Sequence, residues 1–275
     1  MGQYNWIDGN DFDINCFFLM DRWMLKMIFE KYETMDVEDF HRIDVTLATL
    51  LKQSPRLQWF ILRKEPALRK SLDNLLKGAD FDLKGKKLRS REIELMEALE
   101  TDVVYTNPSV MASSCNYITA WNEKTLYDLV DLKDKIVLDL GAGTGRLTFA
   151  AAKLAKRVYA SEPVDMLREH MRDKIRSKNI RNIKVLDGIV LNIPYEDDTF
   201  DVVLSGHVVG DDTAAEIQEM TRVAKDGGKI VICNGDDDIK RDEPSEELVK
   251  HGFKVHYHKS SLGGDIYNYT KTVKK

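Results

Sequence analysis

Cysteine is scarce in this chain of 275 residues. The three cysteines, Cys16, Cys115 and Cys233, lie far apart, and no two of them form a C-x-x-C pair. An odd number of widely spaced cysteines argues against a disulfide framework and against a structural zinc site. We therefore expect a protein of the reducing cytoplasm that binds no metal ion.

A positive net charge and a long apolar run are also absent. The formal net charge of −5 gives no general attraction to phosphate backbones, so a nucleic-acid partner is not expected. The first residues lack the basic region and the following apolar run of a signal peptide, so we expect none. The most apolar stretch, residues 14–32, is interrupted by acidic and basic side chains, and we expect no membrane span.

The first 110 residues have the apolar spacing of helices. Apolar side chains recur at helical intervals between Phe17 and Phe29, and Asp36 is a suitable N-cap for the next helix. Residues 56–76 and 88–101 predict two further helices, and the basic segment 84–91 between them is expected to be a solvated connector. These features predict an all-helical N-terminal domain or cap over residues 1–110.

From residue 111 the pattern changes. A helix predicted over 116–130 is followed by short β-branched runs that alternate with helical patterns. The predicted strands cover residues 136–140, 157–161, 183–186, 200–205, 229–233, 253–258 and 267–273. Strands separated by helices indicate βαβ units and a mostly parallel sheet, covered by helices on both faces. The short Gly263-Gly264 connection predicts that the last strand runs antiparallel.

A glycine-rich turn follows the first predicted strand, where Gly141, Ala142, Gly143, Thr144 and Gly145 lead into a helix. Glycine is favoured where the backbone takes a positive φ or approaches a ligand closely. In doubly wound α/β folds this first turn is where a nucleotide-like ligand lies. The dinucleotide fingerprint G-x-G-x-x-G would require a glycine where this chain has Arg146, so an NAD or nucleotide-sugar enzyme is disfavoured.

Acidic residues follow the second and third predicted strands. Glu162 lies where a carboxylate can accept hydrogen bonds from both hydroxyls of a ribose. Asp187 can accept from an adenine amino group, and Gly188 allows the backbone to approach the ring. Two further landmarks are the segment 193–203, IPYEDDTFDVV, and the segment 219–230, EMTRVAKDGGKI.

Together, these landmarks over residues 116–275 resemble the class I S-adenosylmethionine-dependent methyltransferases, in particular the methyltransferase type 11-like branch that acts on small and quinone-like molecules. The resemblance implies a Rossmann-like sheet of seven strands and S-adenosylmethionine as cofactor, with S-adenosylhomocysteine as product. It assigns the glycine turn to the methionine end, Glu162 to the ribose and Asp187 with Gly188 to adenine. It further assigns Pro163 to the adenine face, Asp139 to the turn or the cofactor amino group, and Ser205 to the cofactor site. The segment from Asp187 to Pro194 is longer than the common pattern of that family.

The segment after the fourth strand, residues 205–212, lies where the resemblance places acceptor-facing side chains. His207 is the best candidate base there, because its ordinary pKa is near 6.5, and a hydrogen-bonding role without proton transfer is also open. Two polar features nearer the end of the sequence are not expected to take part in the reaction. We expect the acidic segment Asp236-Asp237-Asp238 to be a solvated loop. The pair His256 and His258 provides too few ligands for a metal site.

The predicted catalytic domain has no long insertion that would form a pocket, so we expect the N-terminal helices to cover the site. Aromatic side chains that would then line the acceptor site are Tyr4, Trp6, Phe17, Phe18, Tyr105, Tyr117 and Trp121. Methyl transfer to a small-molecule acceptor is the main interpretation. Transfer of the aminocarboxypropyl arm of the same cofactor, a non-catalytic cofactor- or partner-binding protein, and a homodimer through the N-terminal helices stay open.

Overall fold

The computed structural model describes residues 4–34 and 41–275, so the predicted N-cap Asp36 lies outside the described residues. The chain divides into two compact units, Met1–Met111 and Ala112–Lys275. None of the helices within the described ranges combines the length and the apolar character needed to cross a bilayer.

The first unit is helical in its described residues. Its longer helices are α1 (Arg22–Thr34), α2 (His41–Gln53), α3 (Pro55–Lys64), α4 (Arg69–Leu75) and α5 (Gly85–Ala98), followed by α6 (Glu100–Val103) and the start of α7 (Pro108–Ser114). Two expectations are corrected. The helix predicted over 56–76 is divided, because Pro66 has no N–H to donate and starts a separate 3₁₀ turn. The basic segment 84–91 is not a connector, since it forms the first turns of α5.

The second unit contains one sheet of seven strands. They are β1 (Ile136–Leu140), β2 (Arg157–Ser161), β3 (Ile183–Leu186), β4 (Phe200–Ser205), β5 (Ala224–Ile232), β6 (Lys254–Lys259) and β7 (Asp265–Thr272), in the order β3-β2-β1-β4-β5-β7-β6. The first five strands are parallel, whereas β7 pairs antiparallel with both β5 and β6. The predicted Rossmann-like sheet with an antiparallel last strand is therefore confirmed.

Helices of the second unit cover both faces of this sheet. They are α8 (Asn116–Thr119), α9 (Lys124–Leu129), α10 (Arg146–Ala151), α11 (Asp165–Ser177), α12 (Thr213–Val223) and α13 (Glu246–Lys250). Side chains of β1 alternate between two cores: Val137 packs with α9 and α10, and Leu138 packs with α12. The helix predicted over 116–130 is interrupted, because the Asn122 side chain accepts the Lys124 N–H at 2.9 Å and starts α9 anew.

Candidate functional site

The carboxyl ends of the five parallel strands lie in one row. Leu140 of β1 is in register with Ser161 of β2 and Ser205 of β4, and these in turn pair with Leu186 of β3 and Ile232 of β5. The residues that follow the strands, including Gly141, Glu162, Asp187 and Gly206, therefore emerge along the same edge of the sheet. This edge is where ligands bind in open α/β sheets.

The glycine turn after β1 needs its glycines. Gly141, Gly143 and Gly145 have φ values of +61°, +57° and +91°, in the left-handed region that side chains rarely adopt. A Cβ atom at Gly141 would also come within 2.4 Å of the Val208 side chain, which follows β4. The turn is thus shaped by its own backbone and by the segment after the neighbouring strand.

Glu162 is buried directly beyond β2 and bonded to the turn. Its carboxylate accepts the Gly143 N–H at 2.8 Å and the Val164 N–H at 2.9 Å. Burial raises the pKa of Glu162 to about 7, although these two N–H groups and the positive charge of Arg168 act in the opposite direction. A carboxylate held in this way keeps lone pairs with which to accept hydroxyl groups.

Arg168 of α11 holds the loop that carries Glu162 and was missed by the sequence analysis. Its Nη1 donates to the carbonyl oxygens of Glu162 at 2.8 Å and Pro163 at 2.6 Å. Its Nη2 donates to Asp165 at 3.0 Å, and Nη1 lies 3.4 Å from Asp187. The only signal in the sequence for the role of Arg168 in holding this loop was its spacing of three residues from Asp165 on the same helix. Solvent-exposed ion pairs on helices have the same spacing, so this signal does not distinguish a buried arginine.

The predicted adenine-side residues lie next to this loop. Asp187 directly follows β3 and exposes 75% of its side chain, so it can approach a ligand at the surface. Gly188 lies against β2, because a Cβ atom there would come within 2.4 Å of Ser161 Oγ. Pro163 is half-buried between Glu162 and α11.

Three polar side chains are buried at the row of strand ends. Asp139 of β1 accepts a hydrogen bond from Thr148 Oγ1 at 2.5 Å, and burial raises its pKa to about 6. Within the described residues the hydroxyls of Ser161 and Ser205 are buried and have no hydrogen-bond partner. Such hydroxyls fit a polar ligand at this edge, because an unpaired buried polar group is unfavourable.

His207 follows β4 with a φ of +61°, which is unusual for a residue with a side chain. Its Nε2 accepts the Gly235 N–H at 2.7 Å, and its ring lies 5.0 Å from that of Tyr117. Desolvation of the imidazole, and to a smaller extent the positive charge of Arg146, lowers the pKa of His207 to about 4. This hydrogen bond assigns the lone pair to Nε2 and the proton to Nδ1, so the imidazole is neutral at pH 7.

A polar cleft of about 350 Å³ lies beside His207, beyond the ends of β4 and β5. Its walls include Val209, Asn234, Gly235, Tyr267 and Tyr269. The segment after β4 therefore contacts two sites: His207 and Val209 line the cleft, and Val208 between them packs on the glycine turn.

The acidic segment after β5 is a loop, as predicted, but of its three aspartates only Asp238 is exposed, contrary to the expected solvation of all three. Asp236 and Asp237 are only 8% and 9% exposed. Asp237 pairs with Arg241 through two hydrogen bonds of 2.7 and 2.9 Å, and Asp236 lies 3.1 Å from His258 Nε2. These contacts fix one wall of the cleft.

Comparison with known proteins concerns this second unit. Residues 137–228 match the family described as "Methyltransferase domain". Demethylmenaquinone methyltransferase of Geobacillus sp. (strain WCH70) is 32% identical over 116 residues, which are 40% of this chain and 50% of that protein. The protein of the same name from Lactococcus lactis subsp. lactis is 28% identical over 142 residues, 50% of this chain and 54% of that protein. The chain thus spans about half the length of these curated relatives.

A solved structure shares the fold. A chain in the complex that contains the Haloferax volcanii Trm112 methyltransferase activator aligns with a TM-score of 0.50 and 14% identity. The alignment covers 64% of this chain and 96% of that chain.

Proposed function

We propose that the protein transfers a methyl group from S-adenosylmethionine to a small-molecule acceptor, because residues 137–228 of its C-terminal unit match a methyltransferase-domain family. The observation that carries the proposal is the buried Glu162 carboxylate, bonded to the N–H of Gly143. It joins a ribose-binding group to the glycine turn at the carboxyl ends of β1 and β2. The sulfonium of the cofactor supplies a reactive methyl group, so the protein mainly has to orient the acceptor and exclude water.

The residues present fit the cofactor. Glu162 would accept the two ribose hydroxyls, which provide donors for a buried carboxylate. Asp187 and Gly188 would hold the adenine, with Pro163 against its face. Gly141 to Gly145 would hold the methionine arm, with Asp139 beneath them. The hydroxyl of Ser205, which has no hydrogen-bond partner in the described part of the chain, lies at the end of β4, next to the turn.

We propose that the acceptor binds in the cleft lined by His207, Asn234 and Tyr267. The cleft is close to the methionine side of the cofactor site, because Val208 contacts Gly141 while His207 and Val209 line the cleft. The curated relatives named demethylmenaquinone methyltransferases support a small-molecule acceptor rather than a polymer.

The proposed role of His207 follows from its hydrogen bond. With Nε2 occupied by the Gly235 N–H, Nδ1–H is the group left to contact an acceptor, and it donates. Proton removal by His207 would require the other tautomer, and a pKa of about 4 makes it a weak base. We propose that His207 orients the acceptor and acts as a base only for an acceptor that is itself acidic.

We propose from the sequence that the N-terminal helices complete the acceptor site. A protein that begins at Ala112 should still bind S-adenosylhomocysteine, because the second unit has its own sheet and cores. It should lose acceptor turnover. Unchanged turnover by a truncated protein that binds the product would contradict this role.

The test of the proposed function is calorimetric titration with S-adenosylhomocysteine, which binds without reacting. We expect micromolar binding by the wild type, a loss of about tenfold or more in Glu162→Gln, and unchanged binding in Glu196→Gln. Glu196 is a suitable control because it is exposed and is not among the residues assigned to the cofactor or to the acceptor. No binding by the folded wild type would exclude the proposal.

Product analysis then identifies the reaction. Methyl transfer releases S-adenosylhomocysteine, whereas transfer of the aminocarboxypropyl arm releases methylthioadenosine. Detection of methylthioadenosine with a screened acceptor would replace the proposed reaction by the second one.

A further inference from the structure

The outer face of α3 in the first unit carries an unusually exposed aromatic side chain. Trp59 is 68% exposed, although tryptophan is highly buried on average in folded proteins. Leu57 and Ile61 of the same helix are fully buried and anchor α3. Side chains two residues apart on a helix point about 200° apart, so Trp59 projects away from this anchored face.

Neighbouring side chains extend this face into an apolar cluster. Phe60 of α3 is half-buried, and the ring of Phe18, which precedes α1, packs edge-on against it with ring centres 5.2 Å apart. Phe18 and the adjacent Leu19 are both exposed. Phe18, Leu19, Trp59 and Phe60 together form what we call the apolar cluster. Neighbouring exposed apolar side chains mark interaction sites, whereas single ones are ordinary on a protein surface.

Positively charged side chains, which we call the basic rim, surround this cluster. Arg56 and Arg63 are exposed and lie one turn before and one turn after Trp59, on the same stripe of α3. The Lys64 ammonium lies 5.6 Å from the centre of the Phe60 ring. α3 contains no acidic residue, and within residues 4–34 and 41–275 the structure records no carboxylate paired with Arg56 or Arg63. The positive charge is therefore local, because the whole chain carries a net charge of −5.

We propose that the apolar cluster and its basic rim bind the surface of an anionic lipid bilayer. Aromatic and apolar side chains enter the boundary between headgroups and acyl chains, while arginine and lysine reach the lipid phosphates. Acidic lipids supply the counter-charges that Arg56 and Arg63 lack among the described residues. Such a contact differs from a membrane span, since only one face of α3 and the turn before α1 enter the bilayer surface. It does not depend on the proposed methyl transfer.

Two other partners fit this face less well. In a symmetric dimer through the apolar cluster, the basic rims of the two copies would lie against each other, and like charges at an interface are unfavourable. A single-stranded nucleic acid needs free aromatic ring faces on which successive bases stack. Phe18 and Lys64 already contact the Phe60 ring, so the cluster does not offer a row of such faces.

The test measures co-sedimentation of the full chain with vesicles of phosphatidylcholine alone, and of phosphatidylcholine with phosphatidylglycerol in a ratio of about 2:1. We expect the wild type to bind the anionic vesicles, to bind the neutral vesicles much more weakly, and to be released by salt, which screens exposed charges. Trp59→Ser should weaken binding by about tenfold, because its apolar area no longer leaves water. The double variant Arg56→Gln/Arg63→Gln should lose about fivefold for each arginine. The substituted side chains are exposed, and circular dichroism verifies that each variant is folded.

Two matched controls remove the same kinds of group elsewhere in the first unit. Phe81→Ser removes an aromatic side chain that is 71% exposed but lies between Asp80 and Asp82. The double variant Lys86→Gln/Lys87→Gln removes two exposed positive charges at the start of α5. Both should bind the anionic vesicles within about twofold of the wild type, because charges distant from the contact are screened. Losses as large as those of the α3 variants would show that net charge or general hydrophobicity determines binding, and would overturn the proposal.

Three further outcomes would also overturn it. A folded wild type that does not sediment with anionic vesicles at low salt would exclude a bilayer as the partner. In sedimentation velocity, a wild-type dimer that Trp59→Ser lacks would assign the face to a second copy of the chain. Binding of a single-stranded RNA that is lost in Trp59→Ser, without binding to vesicles, would assign the face to a nucleic acid.

Discussion

The backbone N–H of Gly143 donates to Glu162 Oε2 at 2.8 Å, which joins the turn after β1 to the residue after β2. The same carboxylate accepts the Val164 N–H through its other oxygen. Glu162 is only 3% exposed, so two backbone amides fix a carboxylate that water scarcely reaches. This arrangement has consequences for stability as well as for binding.

The first prediction concerns the pH dependence of unfolding. The pKa of Glu162 is raised by burial to about 7 from an ordinary value of 4.5. At pH values between these two pKa values, Glu162 in the folded protein retains a proton that the unfolded chain has released. The free energy of unfolding therefore decreases as the pH rises through this window. Each pKa unit corresponds to about 1.4 kcal/mol. Glu162→Gln removes this dependence, so its stability relative to the wild type should improve from pH 5 to pH 8.

Urea denaturation of ligand-free wild type and Glu162→Gln at the two pH values measures this change. The loss of favourable contacts to the amides adds a constant offset at both values and does not alter the difference. A difference in unfolding free energy that stays the same from pH 5 to pH 8 would show that Glu162 is ionised throughout.

The second prediction separates backbone strain from ligand contact. Gly141→Ala should weaken binding of S-adenosylhomocysteine, because its Cβ would collide with Val208 and displace the turn. Gly227→Ala is a matched control: its φ is +74°, but a Cβ there meets nothing within 4 Å. Gly227→Ala should lose about 1–2 kcal/mol of stability through the left-handed backbone, and Gly141→Ala should lose more because of its collision with Val208. Thermal melts measure the stability of both variants, and calorimetric titration measures their affinity for S-adenosylhomocysteine. Equal affinities in the two variants would contradict the assignment of the glycine turn to the cofactor.

The third prediction concerns Arg168. Replacing it with methionine leaves the carbonyl groups of Glu162 and Pro163 without their donor, and we expect a loss of about 2 kcal/mol or more. Arg176→Met on the same helix should change stability by less than about 0.5 kcal/mol, because Arg176 is 65% exposed and pairs with Asp173 at the surface. Chemical denaturation compares the two. Similar effects in both variants would mean that the buried contacts of Arg168 do not stabilise the loop.

The fourth prediction concerns the protonation of His207. Its pKa is lowered to about 4, so the folded protein binds fewer protons than the unfolded chain between pH 6.5 and pH 4. The stability that this residue contributes is present above pH 6.5 and is lost as the pH falls through that window. In NMR titration, the imidazole signal that disappears in His207→Gln should have a midpoint near 4. A midpoint near 6.5 would show that Nε2 is not held by the Gly235 N–H.

Local patterns in the sequence determined most of the sheet and the glycine turn. The limits predicted for the first four strands agree with the structure, because short β-branched runs between helical patterns fit few other arrangements. The predicted glycine positions carry the positive φ values, since no other residue adopts them readily. The helix predicted over 116–130 failed for a local reason too, because Asn122 offers the backbone a competing hydrogen bond.

The tertiary structure alone decided which charged residues are buried and with what partners. Asp236 lies 3.1 Å from His258 on a later strand, and Arg146 donates to a carbonyl at the end of β5, far along the chain. The sequence marks these side chains as polar, and polar residues are usually solvated. Only the alignment of strand ends at one edge of the sheet brings them together, because burial depends on neighbours that are distant in the sequence.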